Sequence, residues 1–236
     1  AAEQYGVVSQ MGNQGHSSGN LERTIECIKS GVIGTVQEVH IWTDRAGNWW
    51  PQSEKVFLPE EKSEVPAHID WNAFLGVVPA MPYSSEIHPF KWRGYLDFGC
   101  GAIGDMACHN MDPAFMALDL DQPTYVKVEC SEFNQVSFPV WSIVEWGFPA
   151  RGDRAAVKVF WYDGGKKPER PADMPEEMKL GGNGCLFIGD KGKMLGGSHA
   201  GFCKPFDKDY EQPKRTLPRS EGHYKEWVMA CKGEKI

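Results

Sequence analysis

The residues with the clearest chemical potential are a carboxylate and an imidazole four positions apart, Asp105 and His109. In a helix, residues i and i+4 lie on the same face, one turn apart. A histidine beside a carboxylate can accept and return a proton near neutral pH. Asp112, three residues further on, falls on the same face. Spacing alone leaves two alternatives open: an acid–base pair, or a structural carboxylate near a helix start with a satisfied histidine.

The elements around this pair begin with a glycine-rich turn, residues 97–104, which would let backbone or a ligand come close. The turn leads into a predicted helix. Asp112 and Pro113 either kink this helix or start another, with Asp112 as its N-cap. A third ligand beside Asp105 and His109 could form a metal site, but no other His or Cys cluster lies nearby in the sequence. We therefore predict no metal.

Apolar periodicity predicts the other elements. Strands are expected at 5–11, 35–43, 124–133, 140–148 and 155–162, a hairpin at 184–195, and helices at 20–29, 70–76 and 223–232. Residues 44–90 form a long Pro- and Trp-rich stretch, and segments of this kind are often functional. Residues 196–221 are expected to be irregular. One α/β piece followed by mainly β structure with a few helices indicates an α+β fold.

Composition narrows the class of protein. The chain has 236 residues, 41% hydrophobic and 24% charged, with a net charge of −7, which argues against nucleic-acid or anionic-membrane binding. It has no apolar run of 18 residues. Seven cysteines without a CxxC pair do not form a disulfide framework or a zinc knuckle. Reduced thiols favour the cytoplasm slightly, and a periplasmic location stays open.

Three stretches, residues 30–36, 101–109 and 187–192, resemble the glucose–fructose oxidoreductase / inositol dehydrogenase (Gfo/Idh/MocA) family in order and spacing. The resemblance covers nearly the whole chain, and residues 88–94 and 161–165 resemble a bacterial subgroup. Ala107 departs from the family, which usually has glycine there.

The resemblance implies a particular domain organisation. Residues 1–30 would be a remnant of an N-terminal Rossmann domain and its connecting helix. Residues 31–236 would be a substrate-binding and oligomerisation domain, with a large, mostly antiparallel sheet and helices on one face. The Rossmann GxGxxG fingerprint and the family's Glu-Lys-Pro motif are expected upstream of Ala1. The sheet would form the interface of a homo-oligomer.

The resemblance also implies an activity. The full protein would be an NAD- or NADP-dependent oxidoreductase acting on a hydroxyl of a sugar, cyclitol or related polyol, and this chain alone would be inactive. Asp105 and His109 match the family's catalytic pair. His109 would take the hydroxyl proton as hydride leaves for the nicotinamide, and Asp105 would orient the imidazole or bind a hydroxyl. Two alternatives remain: an NAD-assisted glycosidase of the same fold, and a non-catalytic binding domain.

Other candidates have weaker signals. Asn13 and Gln14 would approach the nicotinamide side of the cofactor, or form a plain turn. Candidate substrate-binding residues, each with a loop or turn as the alternative, are Lys91, Trp92, Arg93, Tyr162 and Asp163. Candidates for a lid or a subunit contact are Arg45, Trp49 and Trp50. No role is assigned to His16, His40, His68, His199 and His223.

Overall fold

The computed structural model describes residues 1–53, 56–61 and 63–234. Within these ranges the chain forms one sheet. Its strands are β1 (Val36–Trp42), β2 (Tyr125–Cys130), β3 (Ser142–Phe148), β4 (Val157–Tyr162), β5 (Gly184–Gly189), β6 (Lys193–Gly197) and β7 (Cys203–Pro205). Their order across the sheet is β2-β3-β4-β1-β5-β6-β7. The predicted strands from residue 35 onward and the hairpin are confirmed, with shorter ends.

The sheet is mostly antiparallel, as predicted. Only β1 and β4 run parallel, with Val39 opposite Val159 and Trp42 opposite Tyr162. The other neighbouring strands pair antiparallel. Since β1 lies at the centre, its carboxyl end is enclosed by neighbouring strands, and the chain leaves it at Thr43 towards the long segment 44–90.

Helices account for most of the remaining regular structure. They are α1 (Ala2–Tyr5), α2 (Gly19–Lys29), α3 (Trp71–Leu75), α4 (Gly101–Asn110), α5 (Asp112–Leu118) and α6 (His223–Cys231). Ser18 caps α2 and Asp70 caps α3 through their side-chain oxygens. Of the two alternatives at Asp112 and Pro113, a kink or a new helix, the structure shows a new helix, α5. Met111 rather than Asp112 occupies its N-cap position.

The main core lies between one face of the sheet and helices α2, α4 and α5. Alternate strand residues such as Val39, Val159 and Trp161 are fully buried there against Ile25 of α2 and Met106 of α4. Helices on one face were predicted, and the core confirms them. A smaller cluster on the opposite face contains Trp42, Met174, Leu186 and Leu195.

The described residues of segment 44–90 contribute to an aromatic cluster of their own. Trp71 stacks on Phe74 at 5.1 Å and meets Tyr83 edge-on at 5.3 Å. Ile87 and Tyr95 are buried in the same cluster. This cluster places the residues that precede α4 beside the sheet. Burial of these large aromatic side chains stabilises the segment, in which α3 is the only α-helix among the described residues.

Two predictions of secondary structure are wrong. Residues 5–11 do not form a buried strand: Tyr5 ends α1, and the exposed side chains of Val7 and Met11 contact no partner strand among the described residues. An apolar run becomes a strand only where another strand offers hydrogen bonds. Conversely, the irregular region 196–221 contains β7, which pairs with the edge of β6. Among the described residues, none of the helices has the length and hydropathy needed to cross a membrane.

Candidate functional site

Helix α4 carries the predicted pair on one face. The helix starts at Gly101, whose φ of 61° favours glycine, and a Cβ there would lie 2.8 Å from the Phe138 ring. Asp105 and His109 follow one turn apart within α4. The predicted spacing is confirmed, but no hydrogen bond joins the two side chains. Asp105 therefore does not orient the imidazole directly.

Two arginines hold Asp105 instead. Arg93 Nε donates to Asp105 Oδ1 at 3.2 Å, and Arg45 Nε lies 3.5 Å from Oδ2. Both guanidinium groups are mostly buried, and Arg45 lies 3.5 Å above the Trp49 ring. Arg93 packs over Phe90 at 4.4 Å. Aromatic faces fix the two cations, so that the carboxylate sits between two positioned charges.

His109 has an environment suited to a neutral imidazole. Its Nδ1 is buried and makes no hydrogen bond with any described residue. Burial lowers the pKa of His109, Asp105 and Asp112 act in the opposite direction, and Arg45 adds to the lowering. The ring is therefore uncharged at neutral pH and can accept a proton. Since Nδ1 is enclosed, proton exchange with a ligand has to use Nε2.

A second histidine, His199, stacks on His109. The ring centroids are 4.1 Å apart, and the ring planes differ by 29°. His199 lies in a 3-10 turn (Ser198–Ala200) after β6, with a left-handed backbone at φ 55°. A Cβ on Gly15 would lie 2.5 Å from the His199 carbonyl oxygen, so the N-terminal loop packs directly on this turn.

A hydrogen bond between His16 and Asp112 lies beside these residues. His16 Nδ1 donates to Asp112 Oδ2 at 2.9 Å. Asp112 therefore has a tertiary partner, and its predicted role as helix cap is wrong. The contact ties the 3-10 turn Gln14–Ser17 to the start of α5.

Asn13 lies at this same junction. It lines a cavity of about 470 Å³ together with Cys108, Asp112 and Trp146. Gln14 is exposed on the neighbouring turn. Asn13 thus shares a cavity with Cys108 of α4 and Asp112 of α5.

The predicted substrate residues separate into two groups. Arg93 reaches Asp105, and Trp92 beside it packs on the aromatic cluster. Lys91 instead pairs with the exposed Glu86 at 2.5 Å.

Tyr162 and Asp163 are not brought to the site. The Tyr162 hydroxyl lies 2.9 Å from His40 Nδ1, on the sheet face opposite α4. Asp163 is buried, where it accepts hydrogen bonds from Ser142 N at 2.6 Å and Trp161 Nε1 at 2.8 Å. These contacts explain Asp163 as a structural carboxylate that joins β3 to the end of β4. Neither residue is included in the site proposed below.

Residues 99–104 have the spacing GxGxxG, although the sequence interpretation expected that fingerprint only upstream. The context differs from a dinucleotide-binding turn, since a turn rather than a strand precedes the helix. A Cβ on Gly99 would lie 2.6 Å from the Arg93 carbonyl oxygen, and one on Gly104 would collide with Cys100. These glycines allow the chain to pack on itself and leave no phosphate cradle.

Sequence reasoning did not identify Arg45, His16 or His199 as neighbours of the pair. Their contacts with Asp105, Asp112 and His109 span 60 or more residues, since they come from the loop after β1, the N-terminal loop and the turn after β6. No spacing pattern could reveal them. Within residues 1–53, 56–61 and 63–234, no three His, Cys, Asp or Glu side chains are arranged to bind a metal ion.

The site thus lies in an α+β sheet domain and places a histidine and a carboxylate on one helix face. Residues 19–152 match the sequence profile of an oxidoreductase family, C-terminal alpha/beta domain. The chain belongs to this family, the Gfo/Idh/MocA oxidoreductases. A search of curated protein sequences finds no significant match.

Solved structures share the fold. The WlbA dehydrogenase from Bordetella pertussis, in complex with NADH and UDP-GlcNAcA, is 13% identical with a TM-score of 0.53, over 100% of this chain and 57% of its own. An oxidoreductase from Thermotoga maritima is 9% identical with a TM-score of 0.50, over 97% of this chain and 54% of its own. At these identities the likeness concerns the fold, and the chain spans slightly more than half of each structure.

Proposed function

We propose that this chain is the substrate domain of an NAD- or NADP-dependent oxidoreductase that acts on a hydroxyl of a sugar, cyclitol or related polyol. The observation that carries the proposal is His109, an uncharged, half-buried imidazole next to Asp105, Arg45 and Arg93. Membership of the oxidoreductase family supports the reaction class. WlbA, with the same fold, is a dehydrogenase solved with NADH and a nucleotide sugar.

His109 acts as the base. Oxidation of a secondary alcohol requires removal of the hydroxyl proton while hydride leaves the same carbon. Nε2 of His109 takes that proton, because Nδ1 is enclosed. The low pKa of His109, caused by burial, keeps the ring ready to accept a proton at neutral pH. In the reverse direction the protonated ring returns the proton to the carbonyl oxygen.

Arg45, Arg93 and Asp105 bind the substrate. Guanidinium N–H groups donate to hydroxyl oxygens, and a carboxylate accepts from hydroxyl protons. Each guanidinium group is already positioned by Asp105 and by an aromatic face, so that binding costs little further ordering. A wall of this kind suits an uncharged ligand with several hydroxyl groups.

The nicotinamide end of the cofactor is assigned to this chain. NAD(P)⁺ supplies the hydride acceptor when it is bound. Asn13, in the cavity beside Cys108 and Asp112, is the residue placed to contact that end with its amide. Residues 99–104 offer no room for the phosphates, so their binding is assigned to a nucleotide-binding domain.

The test is substrate-dependent NAD(P)H formation by the protein that includes its nucleotide-binding domain. His109→Ala should lower kcat by about 10²–10⁴-fold with an unchanged circular-dichroism spectrum. His68→Ala, which removes an exposed histidine elsewhere, should leave kcat unchanged. Unchanged turnover in His109→Ala would refute the assignment of the base.

Two other outcomes would favour the alternative functions. Cleavage of a glycoside without net NADH formation would indicate an NAD-assisted glycosidase. Lack of NAD(P) binding in calorimetry would indicate a non-catalytic domain.

The sheet face opposite the helices is proposed as the surface of a homo-oligomer. It is only partly covered: Ile143, Phe160 and Tyr162 are half-buried there, and His40 stacks on Phe160 at 4.8 Å. Half-exposed apolar groups on a flat sheet favour association. Phe160→Asp should reduce the molecular mass measured by light scattering, whereas Glu211→Gln, an exposed substitution outside the sheet, should not.

A further inference from the structure

A chain of hydrogen bonds determines the tautomer of His199. It begins at the Trp42 carbonyl at the end of β1, which accepts from Asn110 Nδ2 at 3.1 Å. A carbonyl can only accept, so this contact sets the orientation of the Asn110 amide. Asn110 Oδ1 then accepts from Ser198 Oγ at 2.9 Å and lies 3.4 Å from the His199 backbone N–H. The Ser198 hydroxyl proton is thereby committed to Asn110.

The next contact places a proton on His199. Ser198 Oγ and His199 Nδ1 are 2.6 Å apart. Because the hydroxyl proton points to Asn110, Ser198 Oγ accepts here and Nδ1–H donates. A neutral imidazole with its proton on Nδ1 has its lone pair on Nε2. That atom makes no hydrogen bond with any described residue and is not enclosed.

The backbone around His199 is built to hold this position. His199 and Ala200 both have left-handed backbones, at φ 55° and φ 50°. Two successive non-glycine residues in this region are strained, and the surroundings must support that strain. The α2 start supplies that support, since Ser18 Oγ donates to the Ala200 carbonyl at 3.3 Å and Asn20 Nδ2 to the Gly201 carbonyl at 2.7 Å.

Nε2 of His199 lies close to the proposed catalytic base. His199 stacks on His109 with 4.1 Å between centroids, so a ligand that touches one ring is within reach of the other. Burial and the proximity of His109 both lower the pKa of His199, while Asp105 opposes them, so the second ring is also neutral. Two uncharged imidazoles thus lie side by side. The chain of hydrogen bonds from Trp42 through Asn110 and Ser198, here called the relay, fixes the tautomer of His199 only.

We propose that His199 is a substrate-positioning residue whose Nε2 accepts a hydrogen bond from the hydroxyl next to the one that His109 deprotonates. The site would therefore select vicinal diols over substrates with an isolated hydroxyl. The tautomer part stands on the geometry alone, whereas the substrate part rests on the function proposed above.

The tautomer is tested without a substrate, by long-range ¹H–¹⁵N NMR of the histidine rings at pH 8. His199 should carry its proton on Nδ1 in the wild-type protein. Ser198→Ala removes the acceptor for that proton, and the Nε2–H form should gain population. Ser131→Ala, which removes a hydroxyl that binds only its own loop, should change nothing. A wild-type His199 protonated on Nε2, or no response to Ser198→Ala, would overturn the relay.

The positioning role is tested by kinetics of the protein with its nucleotide-binding domain. His199→Asn removes the ring, and asparagine tolerates the left-handed backbone. KM for a vicinal diol should rise about five- to tenfold, the value of one hydrogen bond, with kcat changed much less. For the wild type, KM for a deoxy analogue that lacks the neighbouring hydroxyl should exceed KM for the diol by the same factor. For His199→Asn, the two KM values should be equal.

The experiments distinguish a failure of the proposed catalytic function from a failure of the positioning role of His199. If His109→Ala keeps full turnover, the assignment of His109 as the base fails, while the NMR result still decides the tautomer of His199. If His109→Ala is inactive but His199→Asn lowers kcat at constant KM, or discriminates the diol from its deoxy analogue as the wild type does, the positioning role is refuted and the oxidoreductase function stands.

Discussion

The carboxylate of Glu26 provides the sharpest test of the electrostatics of this fold. Glu26 lies in α2 with its side chain only 1% exposed, and it accepts from Arg219 Nη2 at 2.8 and 2.9 Å. It also accepts from the backbone N–H groups of Thr216 at 2.7 Å and Leu217 at 3.1 Å, and from Arg23 at 3.2 Å. These contacts attach the segment before α6 to the helix that covers the sheet.

The Arg219 guanidinium, followed by the two backbone N–H groups and Arg23, lowers the pKa of Glu26 to about 2, against the opposing effect of burial. The unfolded chain has the ordinary value of 4.5. Because the folded pKa is the lower one, the stabilisation is complete well above 4.5 and is lost as pH falls towards 2. At 1.36 kcal/mol per pH unit, it amounts to about 3 kcal/mol at pH 7 and about 1 kcal/mol at pH 3.

The assay is urea unfolding of the wild type and Glu26→Gln at both pH values. The variant should be less stable by about 3 kcal/mol at pH 7 and by about 1 kcal/mol at pH 3, since protonation removes the same charge from the wild type. Glu129→Gln, an exposed control, should stay within about 0.5 kcal/mol of the wild type throughout. An equal loss for Glu26→Gln at the two pH values would refute the reasoning.

Three further substitutions test the packing around the site. Gly15→Ala should cost about 1–3 kcal/mol in unfolding experiments and shift the His199 ring signals, because its Cβ would collide with the His199 carbonyl, whereas Gly12→Ala, with open space, should not. Asp163→Asn should lower the free energy of unfolding in urea by about 1–3 kcal/mol, because the new amide N–H₂ group would face the donors Ser142 and Trp161. Asp70→Ala should cost about 1 kcal/mol through the lost cap of α3, and a larger loss would contradict the capping role.

Local patterns in the sequence predicted most of the elements. The spacing of Leu21, Ile25 and Ile28 predicts helix α2, and alternation predicts strands β1, β3 and β4. These patterns succeed because each element buries one face against the same core. Residues 5–11 show the limit: the run is apolar, but whether it becomes a strand depends on a partner strand.

The candidate site divides in the same way. The sequence alone determined that Asp105 and His109 share a helix face, because helical geometry relates residues four apart. The tertiary structure decided everything that gives them chemistry: Arg45 and Arg93 reach Asp105, and His199 stacks on His109. It also placed Tyr162 on the far face of the sheet. Burial, pKa and hydrogen-bond partners arise from contacts between distant segments, and no local spacing encodes them.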